Sequence, residues 1–295
     1  LADQQAFPGP VYAAAKPDPG APRLSLAGRL NNLLPVRDFV AARAGFAGRF
    51  DRAVRRLATE GGSAVPAPQS AFHFAEGLLI PVRTSVIQKR LVDFYFDGER
   101  VRWIGAHFLD GGDWAPISQP VTASSSHREI LELCKTRQGF RKGRRYLNYA
   151  KRIADGTLLV RNRIALDTTE KLDSYFEYYL ALIEDIEKNG IVPQSALGLS
   201  GQTGRHHRWT RSFWQDFAER DIGVAIDADG SLVRHTNGKH RMAAAIALGV
   251  ESIPVEIRRV HAGWLQRQSE RLGLTPSAAL LATVEEARAK GWQAG

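Results

Sequence analysis

The run His235-Thr236-Asn237-Gly238-Lys239-His240-Arg241 places a glycine where a helix begins and follows it with three nitrogen-rich side chains. The first N–H groups of a helix have no partner inside it, and they draw anions. Lys239, His240 and Arg241 add charge and directed donors at that point. The helix dipole disfavours cations in a first turn, so their clustering is accounted for when an anion visits. The chemistry this suits is phosphate binding and phosphoryl transfer, which needs positioning, charge neutralisation and a base near the acceptor hydroxyl. The plainer alternative is an ordinary turn at Gly238 with Lys239 and Arg241 as solvated charges.

Two further groups join the candidates. Asp227 ends a strand-like run and is the candidate catalytic carboxylate or magnesium ligand, with His240 as the second catalytic candidate. Asn237, Gly238, Lys239, His240 and Arg241 form the candidate nucleotide site. Arg205, His206, His207 and Arg208 follow a glycine-rich stretch, 198–204, that permits close backbone approach to a ligand. They are candidate substrate contacts, with a surface loop as the alternative.

These residues need elements to hold them. Gly223-Val224-Ala225-Ile226 and Ile253-Pro254-Val255-Glu256-Ile257 read as strands, with a helix over 239–248 between them. Asp227-Ala228-Asp229-Gly230 reads as a turn. Leu172, Phe176, Tyr179, Ile183 and Ile186 make an apolar stripe at helical spacing after an Asp167–Glu170 capping box. Ser126 and Glu129 suggest another capping box. From Asp38 to Ala58 the pattern is a basic amphipathic helix with Phe46, Phe50, Val54 and Leu57 inward. Strand-like runs lie at 77–83, 91–96 and 101–108, with a hairpin signal at Asp97-Gly98. Asp110-Gly111-Gly112-Asp113-Trp114 reads as a turn, with metal binding as the alternative.

With those elements in order, the segment 165–265 resembles the ParB/sulfiredoxin superfamily. The matching residues are Gly238, His240, Arg241, Ala244, Leu248, Gly249, Ile253, Pro254 and Val255. The tail Arg258-Arg259-Val260-His261-Ala262-Gly263-Trp264 is similar to the Arg-His-x-x-Trp ending of one subgroup. The resemblance implies an α+β fold: a ParB/sulfiredoxin-like mixed α/β core with an additional N-terminal α+β region. It also implies a scaffold that binds ATP or another nucleoside triphosphate, with Mg2+, its phosphates over the helix start. Lys239 stands where sulfiredoxin needs a cysteine, and the acidic residue of partitioning proteins is missing. The kinase-like Gly-x-His-Arg branch fits best.

The division expected is an irregular arm over 1–23, an α+β region over 24–160, the nucleotide-binding core over 161–265 and a C-terminal helix over 266–295. A net charge of +9 suits a phosphorylated ligand or a polyanion. The densest basic stretch, 137–152, interleaves Tyr146 and Tyr149 with seven cations, as a nucleic-acid groove, a glycan site or a solvated helix face would. The lone Cys134 excludes an internal disulfide framework and a cysteine-based zinc site. The start at Leu1 reads as a processed or trimmed chain. No signal peptide or membrane span is visible, so a cytoplasmic location is expected. The functional expectation is a nucleotide-dependent phosphotransferase, kinase-like, acting on a hydroxyl of a small molecule or cell-surface glycan. The alternatives are a ParB-like nucleic-acid-binding protein or nuclease, and a nucleotide sensor without turnover.

Overall fold

A computed structural model describes residues 36–92, 94–97, 100–161, 164–193, 221–235 and 238–293. In chain order its main elements are α1 (Val36–Arg43), α2 (Phe46–Glu60), β1 (Ser63–Pro66), α3 (Ala67–Phe74), β2 (Leu79–Arg83) and β3 (Lys89–Leu91). The hairpin β4 (Phe94–Asp97) and β5 (Arg100–Trp103) follows, then β6 (His107–Asp110), β7 (Ser118–Pro120), α4 (Ser125–Thr136) and α5 (Arg144–Ala154). A short pair, β8 (Val160–Arg161) and β9 (Ile164–Ala165), precedes α6 (Thr169–Asn189). The last third holds β10 (Ile222–Ile226), β11 (Leu232–Arg234), α7 (Lys239–Leu248), β12 (Ser252–His261), α8 (Ala262–Leu272) and α9 (Pro276–Lys290).

The fold is α+β around one mixed sheet, ordered β1-β6-β12-β10-β11-β3-β7, with β2 also paired to β12. β10 and β12 run parallel, joined through β11 and α7, while β10 and β11 form an antiparallel hairpin. Ten-residue β12 is the spine. Its first half pairs antiparallel with β2 and its end pairs parallel with β6. The boundary read at 160/161 does not separate two sheets, because strands from both sides of it share this one.

Apolar periodicity explains the helices. Phe46, Phe50, Val54 and Leu57 of α2 are buried as their spacing predicts, and Arg52, Arg55 and Arg56 face solvent. The single helix read over 38–58 is broken at Gly45, whose φ of 60° interrupts the helical backbone. In α6, Leu172, Phe176, Tyr179, Ile183 and Ile186 are all buried, and Thr168 caps the start by accepting from the Lys171 N–H at 3.3 Å.

The basic stretch 137–152 docks onto α6. Arg137 pairs with Glu187 at 2.7 Å, and Arg141 pairs with Asp173 at 3.1 Å and Glu177 at 2.9 Å. Tyr146 donates to Asp173, which helps to push its hydroxyl up to about 12 after burial, the larger cause. Both tyrosines are buried and not presented for base stacking. Among the described residues no helix is long and apolar enough to cross a membrane.

The Asp110–Trp114 loop is a structural knot. Asp110 accepts from Arg259 Nη2 at 2.6 Å, from the Trp114 indole at 2.7 Å, from the Gly112 N–H at 2.9 Å and from Ser63. Burial opposes the charge of this carboxylate. Arg259 and the hydrogen bonds outweigh burial and hold it below the usual 3.8. The rest of the tail is equally structural: His261 caps α8 by accepting from the Gly263 N–H, and Trp264 is core. A depressed carboxylate contributes stability above its unfolded value, and that contribution is lost as pH falls through the folded value. We therefore expect the melting temperature to fall as pH drops from about 5 towards 2. Asp110→Asn should melt lower at neutral pH, since the buried Arg259 loses the carboxylate of its ion pair, and should flatten the acid limb. A limb as steep in the variant as in the parent would contradict this.

Candidate functional site

Gly238 does what its position at the head of a helix predicts. Its φ is 83°, and α7 starts at the next residue. A Cβ there would sit 2.7 Å from both Cα and Cγ1 of Ile222, the first residue of β10. Glycine thus lets the chain turn left-handed and lets the start of α7 lie directly on the start of β10.

The cations that follow divide between two sides. His240 packs against Tyr179 with the rings tilted at 45°, their centroids 4.4 Å apart and the Tyr179 hydroxyl 3.2 Å from Nδ1. Burial, then the charges of Lys239, Arg234 and Arg161, hold its imidazole well below the usual histidine range. His240 is therefore neutral at pH 7, and acts through hydrogen bonds rather than charge. Arg241 has different neighbours: Asp221, Arg258 and the Tyr178 hydroxyl. Burial lowers its affinity for a proton, and Asp221 works in the other direction. Because Asp221 lies beside Arg241, the case for a visiting anion rests on the Lys239 side.

Facing Lys239 is a carboxylate that local sequence reading took for a cap. Helix α4 begins after Ser124, so Ser126 lies inside it and Glu129 closes no capping box. Glu129 is only 3% exposed. It accepts from the Tyr149 hydroxyl at 2.6 Å and from the Tyr175 hydroxyl, and Arg161 Nε lies 4.0 Å away. Burial pushes its carboxyl above the usual range. The Tyr175 hydrogen bond and the charges of Arg161, Arg145 and Lys239 pull it back only partly. A buried carboxyl with a raised pKa beside a cationic cluster has the properties of a general base.

Arg234, at the end of β11, is buried, and its charge lowers the proton affinity of both His240 on α7 and His127 on α4. The first turns of α4 and α7 therefore flank one guanidinium. The site gathers Glu129, Arg161, Tyr179, Arg234, Gly238, Lys239 and His240. Of these, sequence reading singled out Gly238, Lys239 and His240 as site residues. The signal available for Glu129, Arg161 and Arg234 was only their charge.

Asp227 is elsewhere. It follows the last residue of β10, while Gly238 packs on the first. At ~3.3 Å per residue the strand holds them roughly 16 Å apart. Its carboxylate accepts from the Ala228 N–H at 2.7 Å and its carbonyl from the Gly230 N–H at 3.0 Å, which is turn chemistry. The catalytic and magnesium roles read for Asp227 thus belong to a residue that does not share a site with Lys239 and His240. Among the described residues no three His, Cys, Asp or Glu gather as metal ligands. Asn237 and the candidate substrate loop Arg205, His206, His207 and Arg208 lie outside the described residues.

No family model, no curated protein and no solved structure matches this chain.

Proposed function

We propose that the protein is a nucleotide-dependent phosphotransferase, kinase-like, built on a ParB/sulfiredoxin-like core. One observation carries the reading: the charges of Lys239, Arg234 and Arg161 bear on a neutral His240 at the start of α7, and those of Lys239 and Arg161 bear also on the buried Glu129, whose carboxyl burial raises above the usual range. Lys239, Arg234 and the N–H groups after Gly238 suit the oxygens of ATP or another nucleoside triphosphate. Glu129 accepts the proton of an acceptor hydroxyl as that oxygen attacks the terminal phosphorus, the bond from phosphorus to the bridging oxygen breaks, and the nucleoside diphosphate leaves with that electron pair. Tyr149 and Tyr175 hold the carboxylate in place, and each of its oxygens keeps a further lone pair for the incoming proton. Magnesium, which neutralises such phosphates, would take most of its oxygen ligands from phosphate and water. The acceptor class is a small molecule or glycan hydroxyl. The nucleic-acid alternative loses part of its support, because Arg137 and Arg141 are paired with α6 and Tyr146 and Tyr149 are buried.

Calorimetry with ATP, CTP and GTP in magnesium, on the parent and two variants, tests this. Lys239→Ala should weaken nucleotide binding by more than about tenfold. Arg241→Ala, with Asp221 beside the guanidinium, should weaken it less. Equal affinities for the parent and Lys239→Ala would remove the phosphate site.

A further inference from the structure

The sheet face under α4 and α7 carries a row of residues of which phosphate binding at α7 uses only Arg234. In register across neighbouring strands stand Val224 of β10, Arg234 of β11, Arg90 of β3 and Gln119 of β7. Cross-strand partners lie on one face, so two guanidinium stems rise side by side from adjacent strands. Like charges directly opposite one another destabilise a sheet. No carboxylate pairs with Arg90 among the described residues. Its Nη2 donates to Gln119 Oε1 at 3.0 Å, and its buried Nε has no hydrogen-bond partner among them.

The second observation comes from the helix above. His127, in the first turn of α4, is 4% exposed, and its Nε2 is buried without a hydrogen-bond partner among the described residues. Burial and Arg234 hold its imidazole neutral. A buried polar atom left without a partner destabilises the fold unless a ligand or water meets it. Ser124, which precedes the helix, makes no side-chain capping bond, so the N–H groups of this turn are not capped by it. His127, Arg90 and the start of α4 thus present donors beside Arg234, which also borders His240. Among the described residues no acceptor meets His127 Nε2 or Arg90 Nε.

We propose that this row is a second oxyanion subsite, where His127 and Arg90 hold a carboxylate or phosphate borne by the acceptor, so that the phosphoryl acceptor is an anionic alcohol. The proposal rests on the phosphotransferase reading for the word acceptor, but the subsite stands on its own residues. An anionic group fixed there, with Arg234 shared between the two sites, would set the acceptor's hydroxyl on the α7 side, where Glu129 lies.

The test uses inorganic phosphate as probe, titrated by calorimetry into the full chain saturated with a non-hydrolysable ATP analogue and magnesium. With the first site filled, phosphate should still bind. Arg90→Met and, separately, His127→Leu should weaken that event by at least tenfold, with analogue affinity changed less than threefold and far-UV dichroism unchanged. Arg90 is half-buried at a strand near the sheet edge, so its variant keeps the test alive if His127→Leu does not fold. Phosphate binding that is absent from the saturated parent, or equally strong in a folded Arg90→Met, overturns the subsite. If the analogue itself does not bind, the nucleotide reading fails. Phosphate titrated alone, and lost in Arg90→Met, would then still establish the subsite.

Discussion

Glu129→Gln should lower turnover by roughly 10²–10⁴-fold, the usual contribution of a positioned general base, while nucleotide affinity stays within a few-fold of the parent. The amide keeps the size of the carboxyl and one oxygen to accept from Tyr149 or Tyr175. It cannot take a proton from an acceptor hydroxyl. The pH profile supplies the independent readout. Burial raises the Glu129 carboxyl above its ordinary value, so the acid limb, where activity rises as the base loses its proton, should lie at a higher pH than an exposed glutamate gives. That limb should vanish in the variant. Turnover in Glu129→Gln within threefold of the parent, by steady-state assay with labelled nucleotide, would take the base from this residue.

Gly238→Ala should cost the folded state about 3 kcal/mol or more. A left-handed backbone at φ 83° costs a side-chain-bearing residue about 1–2 kcal/mol. The added Cβ also meets the Ile222 backbone at 2.7 Å, where no side chain can swing aside. Relief requires α7 to lift off β10, and that moves Lys239 and His240 together. The denaturant midpoint should fall accordingly, and nucleotide affinity with it. A loss below about 1 kcal/mol would mean that α7 is not seated on β10 as described.

The parts of the fold legible in the sequence are those with local causes. The apolar run 222–226, the glycines at 238 and 249 and the Ile-Pro-Val strand punctuate α7 and β12 with short-range signals. Asp97-Gly98 marks its hairpin in the same way, and Phe94 of β4 pairs in register with Trp103 of β5. The site was legible only where it is local. Gly238, Lys239 and His240 sit in one motif, but Glu129 is defined by Tyr149 and Tyr175, 20 and 46 residues further along. A capping-box pattern describes partners three residues apart and has nothing to say about these. Asp227 shows a different limit. Its place at a strand end was correct, but the β10–β11 hairpin carries the chain back to the start of β10 before α7 begins. The Asp-Ala-Asp-Gly turn held that information: one reversal puts the helix at the opposite end of the strand.

The strand order also dictates when the molecule can assemble. The first half of the chain makes two separate pairs, β1 with β6 and β3 with β7, and these lie at opposite ends of the main sheet path. What joins them is β12, β10 and β11, all after residue 221. During synthesis, the rims of the sheet exist long before its middle. Until 222–261 is made, β2, β3 and β6 present open edges, the features through which chains associate wrongly. Contacts this distant in sequence also slow folding. This protein should thus refold slowly and depend on low concentration or chaperones, and a truncation before β12 should yield aggregate rather than a stable half.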